Sequence, residues 1–134
     1  MSKGLSASQD KKSLNRKAHI DELFSKYIAT KDHKIRNRIF EEYIYKLFSE
    51  YIATKDHQLR NKIFEEHAFI AEILSKKYVN KGVEYDDIYQ VASLGLIYAI
   101  ERFDPSKGFE FSSFATPTIL GEIKKYFRDK EWII

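Results

Sequence analysis

Apolar residues recur at helical spacing in successive blocks along the chain. Leu23, Phe24, Tyr27 and Ile28 fall on one face, and Ile35, Ile39, Phe40, Tyr43 and Ile44 resume the stripe after a break. The break contains Thr30-Lys31-Asp32, where Asp32 can cap a new helix. The pattern returns 24 positions later with Leu47, Phe48, Tyr51, Ile52, Asp56, Leu59, Ile63 and Phe64. The two blocks are nearly the same string. LFSKYIATKDHKIRNRIFEE at 23–42 recurs as LFSEYIATKDHQLRNKIFEE at 47–66, with changes only at Lys26/Glu50, Lys34/Gln58, Ile35/Leu59 and Arg38/Lys62. All four changes suit a helix, and two copies are too few for a solenoid, so the pattern reads as a tandem duplication. Only the second copy runs into Ala68-Phe69-Ile70-Ala71-Glu72-Ile73-Leu74-Ser75-Lys76-Lys77-Tyr78.

The remaining segments read as helices too. Asn80-Lys81-Gly82 should end the helix that follows copy two, with Gly82 as a left-handed C-cap. Asp86 or Asp87 opens the next, which runs to about Phe103 and should bury Leu94, Ile97 and Tyr98, with Val91 and Ile100 beside them. Asp104-Pro105 and Gly108 break it. A last helix from Ser112 or Ser113 to about Asp129 carries Pro117 near its first turn. No strand pattern appears, so the fold class is all-α, a helical bundle. Residues 1–18, with Lys3, Lys11, Lys12, Arg16 and Lys17 against Asp10 and no apolar period, should form a disordered basic arm.

Composition narrows the function more than the fold. A chain of 134 residues suits one domain of ordinary size. Without cysteine there are no disulfides or thiolate metal sites. His19, His33, His57 and His67 lack metal-ligand spacing, so no metal and no cofactor is expected. The longest apolar run, Val91 to Ile100, is interrupted by Ser93 and Tyr98 and is too short to cross a bilayer. The amino terminus has no apolar signal core, which makes the cytoplasm the default location. No phosphate-cradling glycine loop, no nucleophile with a base and no ligand-spaced carboxylate cluster is present, which argues against an enzyme. The net charge of +3 says little by itself, and its distribution says more.

Two constellations carry chemistry. Between Glu101 and Trp132 the chain sets rings beside cations. Phe109, Phe111, Phe114 and Trp132 offer faces for bases, and Lys124, Lys125, Arg128 and Lys130 can neutralise phosphates. Phe111 and Phe114 are three residues apart and could instead share a buried face; at least one, Phe111 first, should be core. Upstream, Asp87, Gln90, Ser93 and Ile97 form a mixed polar and apolar stripe at helical spacing that could dock a partner helix.

The strings Asp86-Asp87-Ile88-Tyr89-Gln90-Val91-Ala92-Ser93-Leu94-Gly95-Leu96, Arg102-Phe103-Asp104-Pro105 and Gly121-Glu122-Ile123-Lys124-Lys125-Tyr126-Phe127-Arg128-Asp129 make the stretch from about Leu47 to Trp132 resemble region 2 of bacterial RNA polymerase sigma factors, most of all the sporulation and general-stress group. The resemblance implies a bundle of the sigma region 2 type over 47–134; the residues before it leave the first repeat copy as an extra helical segment over 19–46 and the arm over 1–18. It implies docking on the β′ coiled coil of core RNA polymerase through Asp86, Asp87, Gln90, Ser93 and Ile97, with Val91 where primary sigma factors carry a charge. It implies that Phe109, Phe111 and above all Phe114 hold unpaired bases of the non-template strand at the promoter −10 element. Lys124 would face a base edge, and Lys125, Arg128 and Lys130 the phosphates. Pro117-Thr118 replace two tryptophans of the primary factors, so melting should be weaker. An anti-sigma factor is a further implied partner, and a protein-interaction or decoy role is the alternative function. The repeated segment could support a homo-oligomer by exchange between chains.

Overall fold

A computed structural model describes residues 7–133, with side chains described over 17–130. Its five α-helices are α1 (Ala7–Thr30), α2 (His33–Thr54), α3 (His57–Lys76), α4 (Tyr85–Arg102) and α5 (Phe111–Ile133), with a 3-10 turn at Pro105–Lys107 between the last two. The all-α bundle expected from the sequence is what forms, and no strand occurs among the described residues.

The repeated sequence makes the same elbow twice. Lys31 and Lys55 adopt φ of 55° and 54°, a left-handed conformation that stops each helix. Their backbone N–H groups donate to the carbonyls of Tyr27 and Tyr51, each at 2.6 Å. Asp32 Oδ1 then accepts from the Lys34 N–H, and Asp56 Oδ1 from the Gln58 N–H, both at 2.8 Å. Each carboxylate satisfies an orphan donor of the helix it starts. The lysine ammonium also lies 5.2 Å from the centre of the Tyr27 or Tyr51 ring.

The chain divides into two compact units, Met1–Leu47 and Phe48–Ile134. In the first, Leu23 and Ile44 are buried while Phe24, Ile28 and Phe40 are exposed. The second holds the main core: Ile63, Ile70 and Leu74 of α3, Ile88, Ala92, Leu96 and Ile100 of α4, and Ala115, Ile119 and Ile123 of α5. The α4–α5 crossing is close because Gly95 has no side chain. A Cβ there would lie 2.9 Å from the Ile119 Cα, so any larger residue forces the helices apart.

Several boundaries differ from the sequence reading. The segment expected as a disordered arm is helical from Ala7 onward, and residues 1–6 lie outside the described residues. Nothing after Gly4 breaks a helix, and Ala, Lys, Leu and Arg let α1 extend backward from its apolar part. Helix α3 stops at Lys76, capped by Lys77, well before Gly82. Gly82 does take a positive φ, 84°, but as part of the following turn. Glu84 rather than an aspartate precedes α4, and Asp86 and Asp87 sit in its first turn, where the helix dipole favours negative charge. Helix α5 begins at Phe111, which puts Pro117 in its second turn. Finally, α4 buries Ile88, Ala92, Gly95, Leu96, Ala99 and Ile100. Leu94 is exposed, and Ile97 and Tyr98 are half-buried, against expectation.

Candidate functional site

The site grows from the junction of α4 and α5. Asp104 Oδ1 accepts hydrogen bonds from the Ser106 N–H at 2.9 Å and the Ser106 hydroxyl at 2.6 Å, and Gly108 turns the chain at φ 79°. Those two hydrogen bonds hold the Asp104 carboxyl below its ordinary pKa, with Lys107 adding to the effect. The turn delivers three phenylalanines into different surroundings.

Phe111, 6% exposed, is the anchor. Its ring centre lies 4.6 Å from that of His67, 5.0 Å from Phe48 and 5.2 Å from Phe103. Its assignment as a base-stacking residue is therefore corrected: the ring is core, as the spacing argument allowed. Phe109 is 68% exposed, and Phe114 is half-buried with its centre 5.6 Å from Phe103. The two remain open to a ligand while Phe111 fixes the start of the helix.

Behind Phe114 runs a stripe along α5. Pro117, Gly121, Lys124, Lys125 and Arg128 follow it at intervals that keep them on one side, and all five are exposed. Lys130 is exposed as well but turns toward another face, its ammonium 5.9 Å from the Tyr126 ring centre. Arg128 has only a loose contact with Asp129, 3.9 Å, between exposed side chains. Trp132 lies in α5, but its side chain is outside the described residues.

On α4 the face opposite the core carries Asp87, Gln90, Leu94, Ile97 and Glu101 in a row. Asp86, Asp87 and Gln90 are exposed. Ile97 and Ser93 are half-buried, and the Ser93 hydroxyl is buried without a hydrogen-bond partner among the described residues. Sequence reasoning missed Leu94 by placing it in the core. It is 43% exposed and shares a face with Gln90 and Asp87, four and seven residues before it, but the apolar period of α4 gives no signal that separates it from the buried Leu96.

His67 ties the junction to α3. It is buried, its Nδ1 lies 2.8 Å from the Ile63 carbonyl oxygen, and its ring meets Phe111 edge-on. Burial lowers its pKa, partly offset by the Ile63 carbonyl and the charge of Glu66. Among the described residues no cluster of His, Asp and Glu could hold a metal, and no helix is long and apolar enough to cross a membrane.

Comparison with known proteins agrees with this architecture. Residues 64–133 match the Sigma-70 region 2 family. The RNA polymerase sigma-B factor of Bacillus subtilis is 45% identical over 65 residues, 48% of this chain and 25% of that protein. The RNA polymerase sigma-F factor of Kitasatospora aureofaciens is 49% identical over 53 residues, 40% of this chain and 18% of the relative. The RNA polymerase sigma-G factor of Clostridium acetobutylicum is 43% identical over 58 residues, 43% and 23% of the two chains. The chain thus spans about a quarter of the length of these relatives or less. With the family match covering more than half of its residues, and with α3, α4 and α5 packed around one core, the chain belongs to the sigma-70 region 2 family.

Proposed function

We propose that this protein acts in transcription initiation, docking on the β′ coiled coil of core RNA polymerase through α4 and capturing the non-template strand of the −10 element through the head of α5. The observation that carries the reading is the division of labour at the α4–α5 junction: Phe111 is buried, while Phe109 and Phe114 stay accessible at the head of a cationic stripe. Stacking of a base on an aromatic ring contributes about 1–3 kcal/mol, which offsets much of the cost of taking a base out of the duplex. Lys125 and Arg128 then hold the backbone, with Lys124 as the base-edge contact. The α4 row supports docking because it joins acidic and amide groups to the exposed Leu94 and the half-buried Ile97 without burying a charge. No covalent chemistry is required.

The test uses a single-stranded −10 oligonucleotide with the β′ coiled coil present. Phe114→Ala lowers affinity by about 1–3 kcal/mol with the salt dependence unchanged. Lys125→Ala weakens binding to every sequence and flattens the salt slope by roughly 0.7. Asp87→Ala with Gln90→Ala reduces capture by core polymerase while helicity is retained. A Phe114→Ala protein that binds as the parent does would remove strand capture at this ring.

A further inference from the structure

We propose that the Lys55–Asp56 elbow is an exchange hinge, through which residues 48–54 of one chain fill the His67–Phe103–Phe111 socket of a second copy. Three observations carry this. The connection between α2 and α3 is only two residues long, and Lys55, a residue with a Cβ, sits there at φ 54°. Short connections under strain favour domain exchange.

The second observation is how the end of α2 is held. Phe48 is completely buried, with ring centres of Phe103, Phe111 and His67 at 4.9, 5.0 and 6.4 Å. Tyr51, one turn on, is buried as well. These contacts are made by side chains of a single helical turn, so the same turn from another chain makes them equally well.

The third is that a straightened elbow has a good alternative structure. From His33 to Lys76 there is no glycine or proline, and Thr54, Lys55, Asp56 and His57 all tolerate a helix. Opening the elbow merges α2 and α3 into one helix and replaces the left-handed residue with regular hydrogen bonds. Against this stand the loss of the Asp56 cap, of the Lys55–Tyr51 contact and of translational freedom. Each chain has one such plug and one socket, so reciprocal exchange closes at a two-fold dimer. The elbow at Lys31 has the same left-handed φ, but Phe24, the counterpart of Phe48, is 52% exposed.

Sedimentation over a wide concentration range tests the hinge. Lys55→Gly, which suits the left-handed elbow and also disfavours the merged helix of the exchanged form, lowers the dimer association constant by about tenfold or more, because both effects act at two elbows per dimer. Lys55→Ala with Asp56→Ala, which favours a continuous helix, raises it. A photo-reactive phenylalanine at position 48, in mixed isotopically labelled and unlabelled protein, cross-links one chain to the socket of the other. A double variant that stays monomeric throughout, or cross-links found only within a chain, overturns the proposal. So does a dimer that is abolished by Phe24→Asp with Ile28→Asp and indifferent to the elbow, since association would then use the exposed face of copy one.

Discussion

Phe24 and Phe48 occupy the same position in two nearly identical twenty-residue strings, yet Phe24 is 52% exposed and Phe48 is completely buried. Ile39 is half-buried where Ile63 is fully buried, and Tyr43 stands where copy two continues with the buried His67. The elbows themselves match in the φ of their lysines and in their capping hydrogen bonds. The pair teaches that backbone conformation here is local and burial is not. Copy two has the α4–α5 junction against Phe48, whereas copy one leaves Phe24 exposed.

The largest effect that could break this contrast comes from truncating the two rings. Phe48→Ala should destabilise the second unit by about 3–5 kcal/mol, since it removes a fully buried aromatic and leaves a cavity among three rings. Phe24→Ala should stay within roughly 0.5 kcal/mol, as expected of a surface position. Urea unfolding of both variants reads the difference, and equal losses would show that the copies share one environment.

A second test concerns position 67, where copy one has Tyr43. The folded pKa of His67 is lowered by burial, so the unfolded chain takes up a proton first as pH falls. The contribution of neutral His67 is fully present above its ordinary pKa of about 6.5. It is lost as pH drops from there toward the depressed folded value, at up to about 1.4 kcal/mol per pH unit. His67→Phe should flatten that part of the stability profile, measured by thermal or urea unfolding between neutral and mildly acidic pH. An unchanged slope would place the proton elsewhere.

The smallest effect sharpens the comparison at the elbows. Glycine at position 55 relieves about 1 kcal/mol of left-handed strain but forfeits about 0.5 kcal/mol of contact with Tyr51. The net gain for the second unit should be a few tenths of a kcal/mol. Lys31→Gly should leave the unfolding of the second unit unchanged, which chemical denaturation of the matched pair can check.

Much of this was legible without coordinates. The elbows follow from Thr-Lys-Asp, whose capping groups act within three or four residues. That at least one of Phe111 and Phe114 would be buried followed from their spacing, and the cations of α5 were read directly from the residues between Lys124 and Lys130. The orientation of α4 was not legible in the same way. That helix carries apolar residues on most sides, so Leu94 and Leu96 are equivalent to a periodicity argument although one is exposed and the other buried. The face that meets α5 is the one on which Gly95 allows a close approach to Ile119.

The sequence by itself therefore determined the helical class, the positions of the elbows, the family and the residues available for a strand or a partner. These depend on short-range hydrogen bonding, backbone preference and residue identity. Tertiary structure decided which copy of the repeat enters the core, which of three phenylalanines anchors the junction, and which leucine of α4 faces outward. Burial is a property of what lies opposite a side chain, and two segments with the same residues differ in it as soon as their neighbours differ.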